Sequence, residues 1–188
     1  SNLYILRLSM SLSSLVGLSR PQLKAVLSEL NVPEKMQNMR VSQLWSAIYT
    51  QGYQSIDAIT TLSKPFRELL AQHYHLNRLE IVTEQKSRDG TIKWLLKTTD
   101  NQLIETVFIP EDDRGTLCIS SQVGCTLNCT FCHTGTQKLV KNLTVAEIID
   151  QILVAKDQIG EWDKASEKRM LTNIVMMGMG EPLLNMKN

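Results

Sequence analysis

Three absences narrow what this chain of 188 residues can be. It contains no apolar run of the roughly 18 residues that a membrane-spanning helix requires, so we expect no membrane partner. Residues 1–18 are apolar and serine-rich, but Arg7 and the serines interrupt them, so we expect no signal peptide. The 4 cysteines are clustered within a long chain, which argues against a disulfide scaffold and for a reducing compartment such as the cytoplasm.

A strong charge of one sign is also missing, because the net charge is only +1. Residues 1–100 carry 12 Lys and Arg against 8 Asp and Glu, a net +4, whereas residues 101–188 carry 8 against 11, a net −3. The mildly basic first part is compatible with contact to nucleic acid but does not require it. A hydrophobic content of 43% is ordinary for a soluble protein of one or two domains.

The stretch that carries chemistry is a loop in which Cys125, Cys129 and Cys132 form a C-x3-C-x2-C pattern. One short loop can aim three thiolates at a single point, and thiolates suit iron–sulfur clusters or zinc. A cluster held by three cysteines leaves one iron free for a substrate or cofactor. Two other interpretations stay open: a structural zinc site with Cys118 or His133 as fourth ligand, or buried cysteines without a metal.

Helical patterns fill the first part of the chain. Ser19 with Pro21 close behind predicts a helix start, and apolar residues then recur on one helical face. Further helices are predicted over 34–49, as a short turn at 56–59 and from Ser63 onward, which together make a small bundle. The polar faces of these helices carry cations that could either contact RNA or face solvent, namely Lys24, Lys35, Arg40, Lys64 and Arg67.

Strand patterns follow the bundle. Residues 79–83 alternate in polarity, Asp89-Gly90 predicts a hairpin turn, and residues 92–96 form the second strand. Residues 102–109 read as a third strand. We therefore expect a small antiparallel meander between the helices and the rest of the chain.

The last third of the sequence predicts a strand–helix–strand unit. Residues 116–123 read as a strand that runs into the cysteine loop, and 173–177 as a strand buried on both faces. Such a unit places the carboxyl ends of two parallel strands together, so the loops at 124–133 and 178–185 should meet there. The intervening helix begins with a capping box of Thr144 and Glu147. Its buried face is predicted to consist of Val145, Ile148, Ile149, Ile152 and Leu153.

At these residues the sequence resembles a known family. The pattern C-x3-C-x-aromatic-C, with Phe131 in the aromatic position, is the signature of radical S-adenosylmethionine enzymes. The blocks at 110–125, 141–144 and 178–185 resemble, more narrowly, the RlmN-type dual-specificity methyltransferases, which modify adenine C2 in ribosomal and transfer RNA. The likeness extends more loosely over nearly all of the chain.

The resemblance implies an α/β fold in three parts. Residues 1–76 would form an N-terminal helical accessory domain that helps to grip RNA, and 77–112 a short antiparallel strand linker. Residues 113–188 would form the first βαβ unit of a partial (β/α)6 TIM-like radical SAM barrel. The resemblance also implies 23S rRNA and tRNA as partners, together with an electron donor such as flavodoxin or ferredoxin.

The resemblance further implies two cofactors, a [4Fe–4S] cluster and S-adenosyl-L-methionine. The cluster would be held by Cys125, Cys129 and Cys132, and S-adenosylmethionine would bind its open iron. The loop that binds the methionine amino group in the family matches Gly178, Gly180, Glu181 and Pro182.

Two further residues match catalytic positions of the family. Cys118 matches a cysteine that helps to resolve a protein–RNA adduct through a transient disulfide, and Glu105 matches a glutamate that exchanges a proton with the adenine. The residues alone leave a plainer interpretation open for each, a buried core cysteine and a solvent-facing strand residue.

The family also has a methyl-carrying cysteine, but no cysteine follows Cys132 here, so we expect the chain to be a fragment that is inactive alone. One alternative is the related adenine-C8 methyltransferases, although the Gly-Thr-Gln-Lys stretch after Cys132 and the block at 111–114 are closer to RlmN. The other is a zinc-stapled, non-catalytic RNA-binding module. Metal identity separates the module from the enzymes, and the methylated position separates the two enzymes.

Overall fold

The computed structural model describes residues 12–124, 141–162 and 169–176. Its first part is helical, as the sequence predicts. A pair of two-residue parallel strands, β1 (Ser13–Ser14) and β2 (Tyr74–His75), brackets this part. Between them lie α1 (Arg20–Glu29), α2 (Glu34–Trp45), a π-helical turn (Ser46–Thr50), a 3-10 turn (Ile56–Ala58) and α3 (Lys64–Ala71).

The helix starts follow from local chemistry. The Ser19 hydroxyl accepts a bond from the Gln22 backbone N–H, and the Gln22 side chain accepts one from the Ser19 N–H, which makes a capping box at α1. Ser63 occupies the position before α3 as predicted, but its hydroxyl makes no capping bond. Pro65 in the first turn of α3 needs no N–H donor, so it is tolerated there.

A second part is built on strands and one long helix. The remaining elements are β3 (Glu80–Lys86), β4 (Ile92–Lys97), β5 (Leu103–Pro110), β6 (Gly115–Ile119), β7 (Gln122–Val123), β8 (Lys141–Asn142), α4 (Val145–Ile159) and β9 (Asn173–Met176). Five strands form one sheet in the order β3-β4-β5-β6-β9. The pairs from β3 to β6 are antiparallel and β6 pairs with β9 in parallel, so both the meander and the parallel pair are confirmed.

Helix α4 joins the two parts because it contributes to two hydrophobic cores. Leu153 packs into the core of the helical part with α1 and α2. Ile148, Val154 and Ala155 pack against the sheet, where Trp94 and Leu117 are fully buried. The capping box predicted for this helix is confirmed, since the Thr144 hydroxyl accepts from the Glu147 N–H and the Glu147 carboxylate from the Thr144 N–H.

The prediction of a single strand over residues 116–123 is wrong, because this stretch forms two separate strands, β6 and β7. β6 ends at Ile119, and β7 pairs with β8 in a separate antiparallel sheet. Between them, the backbone N–H and C=O of Ser120 bond to the side chain of Gln151 on α4. A polarity pattern within the strand could not reveal this partner, which lies 31 residues further along the chain.

Two burial predictions are also wrong. β9 is not buried on both faces, since Ile174 is 49% and Met176 44% exposed in the described structure, where β9 pairs with β6 alone. Val145 is exposed at the start of α4, while the polar residues Glu147, Asp150 and Gln151 are buried there instead. No helix in the described ranges is long and apolar enough to cross a membrane.

Candidate active site at the ends of two parallel strands

The carboxyl ends of β6 and β9 lie side by side. Ile119 and Met176 are partners at the last position of the parallel pair. The cysteine loop follows β7, the short strand after β6, and the predicted S-adenosylmethionine loop follows β9, so both begin within a few residues of this edge of the sheet along the chain. Ligands bind at this edge in folds built from parallel strands. The loop residues themselves lie outside the described residues, namely Cys125, Cys129, Cys132, Gly178, Gly180, Glu181 and Pro182.

The two ends of the segment 125–140 are held together. Gln122 pairs with Asn142 and Val123 with Lys141 in the β7–β8 ladder, and the Gln122 side chain donates to Asn142 Oδ1 at 2.7 Å. A segment that leaves and returns at one point is suited to gathering its side chains there.

Lys141 anchors the far end of that segment. Its ammonium group lies 2.7 Å from a carboxylate oxygen of Asp100 and 3.2 Å from one of Glu147. The Glu147 side chain is almost fully buried and also caps α4. Lys141 therefore ties the loop end both to the turn between β4 and β5 and to the first turn of α4.

The near end of the segment is anchored by Gln151. Its Oε1 accepts from the Ser120 N–H at 2.8 Å, and its Nε2 donates to the Ser120 carbonyl at 2.8 Å. The Thr106 hydroxyl on β5 donates to the same Oε1 at 2.9 Å. Thr106, Ser120 and Gln151 are all fully buried, so these bonds are shielded from water.

The two predicted catalytic residues lie on one face of the sheet. Cys118 is the partner of Val107 across the β5–β6 ladder, and Glu105 lies two residues before Val107. Because side chains alternate along a strand, Glu105 and Cys118 point to the same side, as diagonal neighbours about 7–8 Å apart. Leu117 and Ile119 point to the opposite side, into the core that α4 covers.

Glu105 is paired with a cation. The Lys93 ammonium group on β4 lies 2.9 Å from Glu105 Oε1, and both side chains are partly exposed in the described structure. The Glu105 carbonyl accepts a bond from the Ser120 hydroxyl at 2.7 Å, which links this residue to the strand end held by Gln151. Cys118 is half-buried, and its burial raises the pKa of the thiol.

The predicted metal-ligating side chains of this chain are those of the cysteine loop. Within residues 12–124, 141–162 and 169–176, no three His, Cys, Asp or Glu side chains converge on a point that could hold a metal ion. The cysteine loop provides three thiolates between strand ends that the structure holds together. Three thiolates with one position left open fit an iron–sulfur cluster that also binds a small-molecule cofactor.

Known proteins similar to this chain are RlmN methyltransferases, although no family profile matches the chain. The dual-specificity RNA methyltransferase RlmN of Parvibaculum lavamentivorans is 55% identical over 183 residues, which covers 93% of this chain and 46% of the relative. RlmN of Zymomonas mobilis is 54% identical over 174 residues, with 93% and 44% covered. The chain is related to the RlmN methyltransferases over about half of their length.

A solved structure supports the same relationship. The radical SAM methyltransferase from Sphaerobacter thermophilus superposes with a TM-score of 0.81 at 40% sequence identity, covering 93% of this chain and 49% of that one. The chain therefore has a mixed α/β fold similar to that of a radical SAM methyltransferase. It spans about half the length of the curated relatives that it matches, as the sequence resemblance to RlmN also indicated.

Sequence reasoning missed the residues that support the site. Gln151, Thr106, Lys93 and Lys141 all act through partners on other elements, and no role was predicted for them, although Lys141 falls in the 141–144 block that resembles RlmN. Gln151 had a usable signal of its own, because it falls among the apolar positions of α4, where a polar side chain needs a buried partner.

Proposed function

We propose that this chain forms part of an RlmN-type radical SAM RNA methyltransferase that methylates adenine C2 in 23S rRNA and tRNA. The observation that carries the proposal is the position of the cysteine loop. The segment that contains it is flanked by β7 and β8, which pair with each other shortly after the end of the parallel strand β6, in a chain 55% identical to a protein named RlmN.

The proposed cluster ligands are Cys125, Cys129 and Cys132, and the proposed S-adenosylmethionine loop contains Gly178, Gly180, Glu181 and Pro182. When bound, the [4Fe–4S] cluster and S-adenosyl-L-methionine supply an electron and carbon-centred radical chemistry that no side chain can provide. The glycines would allow close backbone approach to the cofactor, and Glu181 would offer a carboxylate to its ammonium group. Gln151 and Lys141 support the proposal because they hold the two ends of the cysteine loop.

Glu105 and Cys118 are the proposed catalytic residues on the face of the sheet away from α4. Glu105 would exchange a proton with the adenine, and the Lys93 ammonium group at 2.9 Å holds its carboxylate in place. Cys118 would act as the thiol that resolves a protein–RNA adduct. Their position on one face supports this pairing, since both must reach the same base, which has to leave its stack to be modified.

The finer architecture belongs to the same proposal. Residues 1–76 would be a helical accessory domain that contacts RNA, 77–112 a strand linker and 113–188 the start of a partial (β/α)6 barrel. The core of the helical part, to which α4 adds Leu153, and the parallel β6–β9 pair support this division. A flavodoxin or ferredoxin would donate the electron, and an enzyme that acts on ribosomal and transfer RNA would work in the cytoplasm.

Metal analysis tests the proposal. We would measure iron, sulfide and zinc per chain after anaerobic purification of wild type, Cys125→Ala and Cys118→Ala. About four irons and four sulfides in wild type and Cys118→Ala, lost in Cys125→Ala, is the expected result. About one zinc without iron, lost in Cys125→Ala, would replace the radical enzyme with the zinc-stapled RNA-binding module, and its loss or retention in Cys118→Ala would decide between Cys118 and His133 as fourth ligand.

The product tests the reaction. The complete gene product that contains these residues would be given 23S rRNA and tRNA with S-adenosylmethionine and a reductant, and the modified adenine identified by mass spectrometry against standards. Methyl at C2 is the expected result. Methyl at C8 would assign the protein to the related adenine-C8 methyltransferases instead.

A further inference from the structure

The side chain of Gln151 bonds to the backbone at the end of β6 in the way that a paired strand would. The carboxamide of Gln151 forms two bonds of 2.8 Å with the N–H and C=O of Ser120, in the pattern by which one strand residue pairs with another. The described β6–β9 ladder ends at Ile119 and Met176, and these bonds support the backbone at the residue that follows Ile119. Helix α4 thus contacts the strand end through this side chain.

The Gln151 side chain is itself held in one orientation. Thr106 on β5 donates to its Oε1 at 2.9 Å, and its Nε2 also donates to the Glu147 carbonyl one turn earlier at 3.3 Å. Four bonds therefore converge on one buried carboxamide, and together they connect α4, β5 and the end of β6. A side chain restrained at both of its polar atoms is a precise support for the backbone that it contacts.

The supported backbone lies between two functional groups. Cys118 is two residues before Ser120, and the cysteine loop begins five residues after it at Cys125. Ser120 also donates from its hydroxyl to the Glu105 carbonyl at 2.7 Å. A shift of Ser120 would therefore move Cys118 and the start of the loop together, and would alter the backbone of Glu105 as well.

We propose that Gln151 is a positioning residue of this enzyme, which sets the placement of Cys118 and of the cysteine loop through the backbone of Ser120. This inference rests on the proposed function, because it assigns the loop a cluster to hold. Ordinary core packing is the competing explanation. It would make Gln151 important for stability without any specific effect on the strand end or the cluster.

The experiment compares Gln151→Met with a matched control, Gln37→Met. Gln37 on α2 is also buried, and its Nε2 donates to the Val32 carbonyl at 2.9 Å, far along the chain from β6. Methionine has nearly the shape of glutamine but cannot make its bonds. A third variant, Gln151→Asn, keeps the carboxamide on a shorter side chain, so that a folded protein remains to be studied if Gln151→Met does not fold.

Two readouts are measured on each variant. Hydrogen exchange is followed in the peptide over 117–124, where loss of buried bonds to Ser120 should speed amide exchange by about tenfold or more. The second readout comprises iron per chain, the EPR spectrum and the midpoint potential of the reduced cluster. We expect both readouts to change in the Gln151 variants and neither to change in Gln37→Met, even when the two Met variants lose similar stability.

The outcomes separate this inference from the proposed function. Unchanged exchange over 117–124, or an unchanged EPR spectrum and potential with full iron, in folded Gln151 variants would overturn the positioning role while leaving the enzyme proposal intact. A wild-type chain that binds no iron would overturn the proposed function, and the role toward the cluster with it. The exchange data would then decide only whether Gln151 positions the end of β6.

Discussion

Gly52 lies directly against the indole ring of Trp162. A Cβ atom on Gly52 would come within 2.2 Å of Trp162 Cε2, and the Gly52 backbone has φ of +69°, in the left-handed region. Trp162 also donates from Nε1 to Asp157 Oδ1 at 2.7 Å. The contact therefore joins the segment after α2 to the end of α4, and it requires glycine for two separate reasons.

Gly52→Ala should destabilise the protein by about 3 kcal/mol or more, because it combines left-handed strain with overpacking. Gly160→Ala is the matched control: Gly160 has φ of +73°, but a Cβ there meets nothing within 4 Å. We expect a loss of only about 1–2 kcal/mol for the control, from strain alone. Urea unfolding of both variants measures the difference, and equal losses would show that the Trp162 ring moves aside.

Arg78 forms a buried ion pair with Asp157. The side chains are each 9% exposed, Arg78 Nε lies 2.8 Å from Asp157 Oδ2, and the guanidinium also donates to the Gly52 carbonyl. Arg78→Met would leave a buried carboxylate without its cation, so we expect a loss of about 3–5 kcal/mol.

The exposed pair Lys64–Glu68 provides the comparison for that variant. Its side chains are 76% and 61% exposed at a separation of 4.0 Å, so Lys64→Met should change stability by less than about 1 kcal/mol. Thermal unfolding at low and high salt distinguishes the two pairs. A loss below about 1 kcal/mol for Arg78→Met would contradict the structural role of the pair.

Asp150 should make stability depend on pH. Its Oδ2 accepts from the Leu79 N–H at 2.7 Å, while Oδ1 has no partner in the described structure. Burial raises the pKa of this carboxyl from 3.8 to about 7, against the opposing effects of the Leu79 N–H and of nearby Arg78.

The sign follows from proton binding in the two states. Below about pH 4 the Asp150 carboxyl is protonated in both the folded and the unfolded chain, and its contribution to the free energy of unfolding is fully present. As pH rises from 3.8 to about 7 the unfolded chain ionises first, so stability falls by up to about 4 kcal/mol and then levels off. Urea unfolding from pH 4 to 8 should show this fall in wild type but not in Asp150→Asn, and parallel curves would contradict it.

Cys118 should react slowly with alkylating agents at neutral pH. Burial raises the pKa of its thiol, and only the thiolate is nucleophilic. We expect alkylation by iodoacetamide at pH 7.5 to be several-fold slower than for the urea-unfolded chain and to increase past pH 9. Mass spectrometry locates the label among the four cysteines. Equal alkylation rates in the folded and unfolded chains would show that folding does not protect the Cys118 thiol.

Local patterns in the sequence were sufficient for the helices, the meander of β3, β4 and β5, and β9, but not for the two-residue strands. Ser19, Thr144 and Asp89-Gly90 identified two helix starts and a hairpin because capping and turn chemistry act between residues that are close in sequence. The cysteine spacing predicts a metal-binding loop on the same local basis. The lengths of β6 and β7 and the exposure of β9 were not predictable, because they depend on partners from other elements.

The sequence by itself determined the spacing of Cys125, Cys129 and Cys132, from which we predict a cluster-binding loop, since that spacing limits what one loop can bind. Only the tertiary structure decided how that loop is supported. In the sequence, Gln151 interrupts an apolar helix face. In the folded chain, its side chain bonds to the backbone of Ser120, just after the end of β6. Such a bond joins residues 31 apart in sequence, and their meeting is decided by how α4 packs on the sheet.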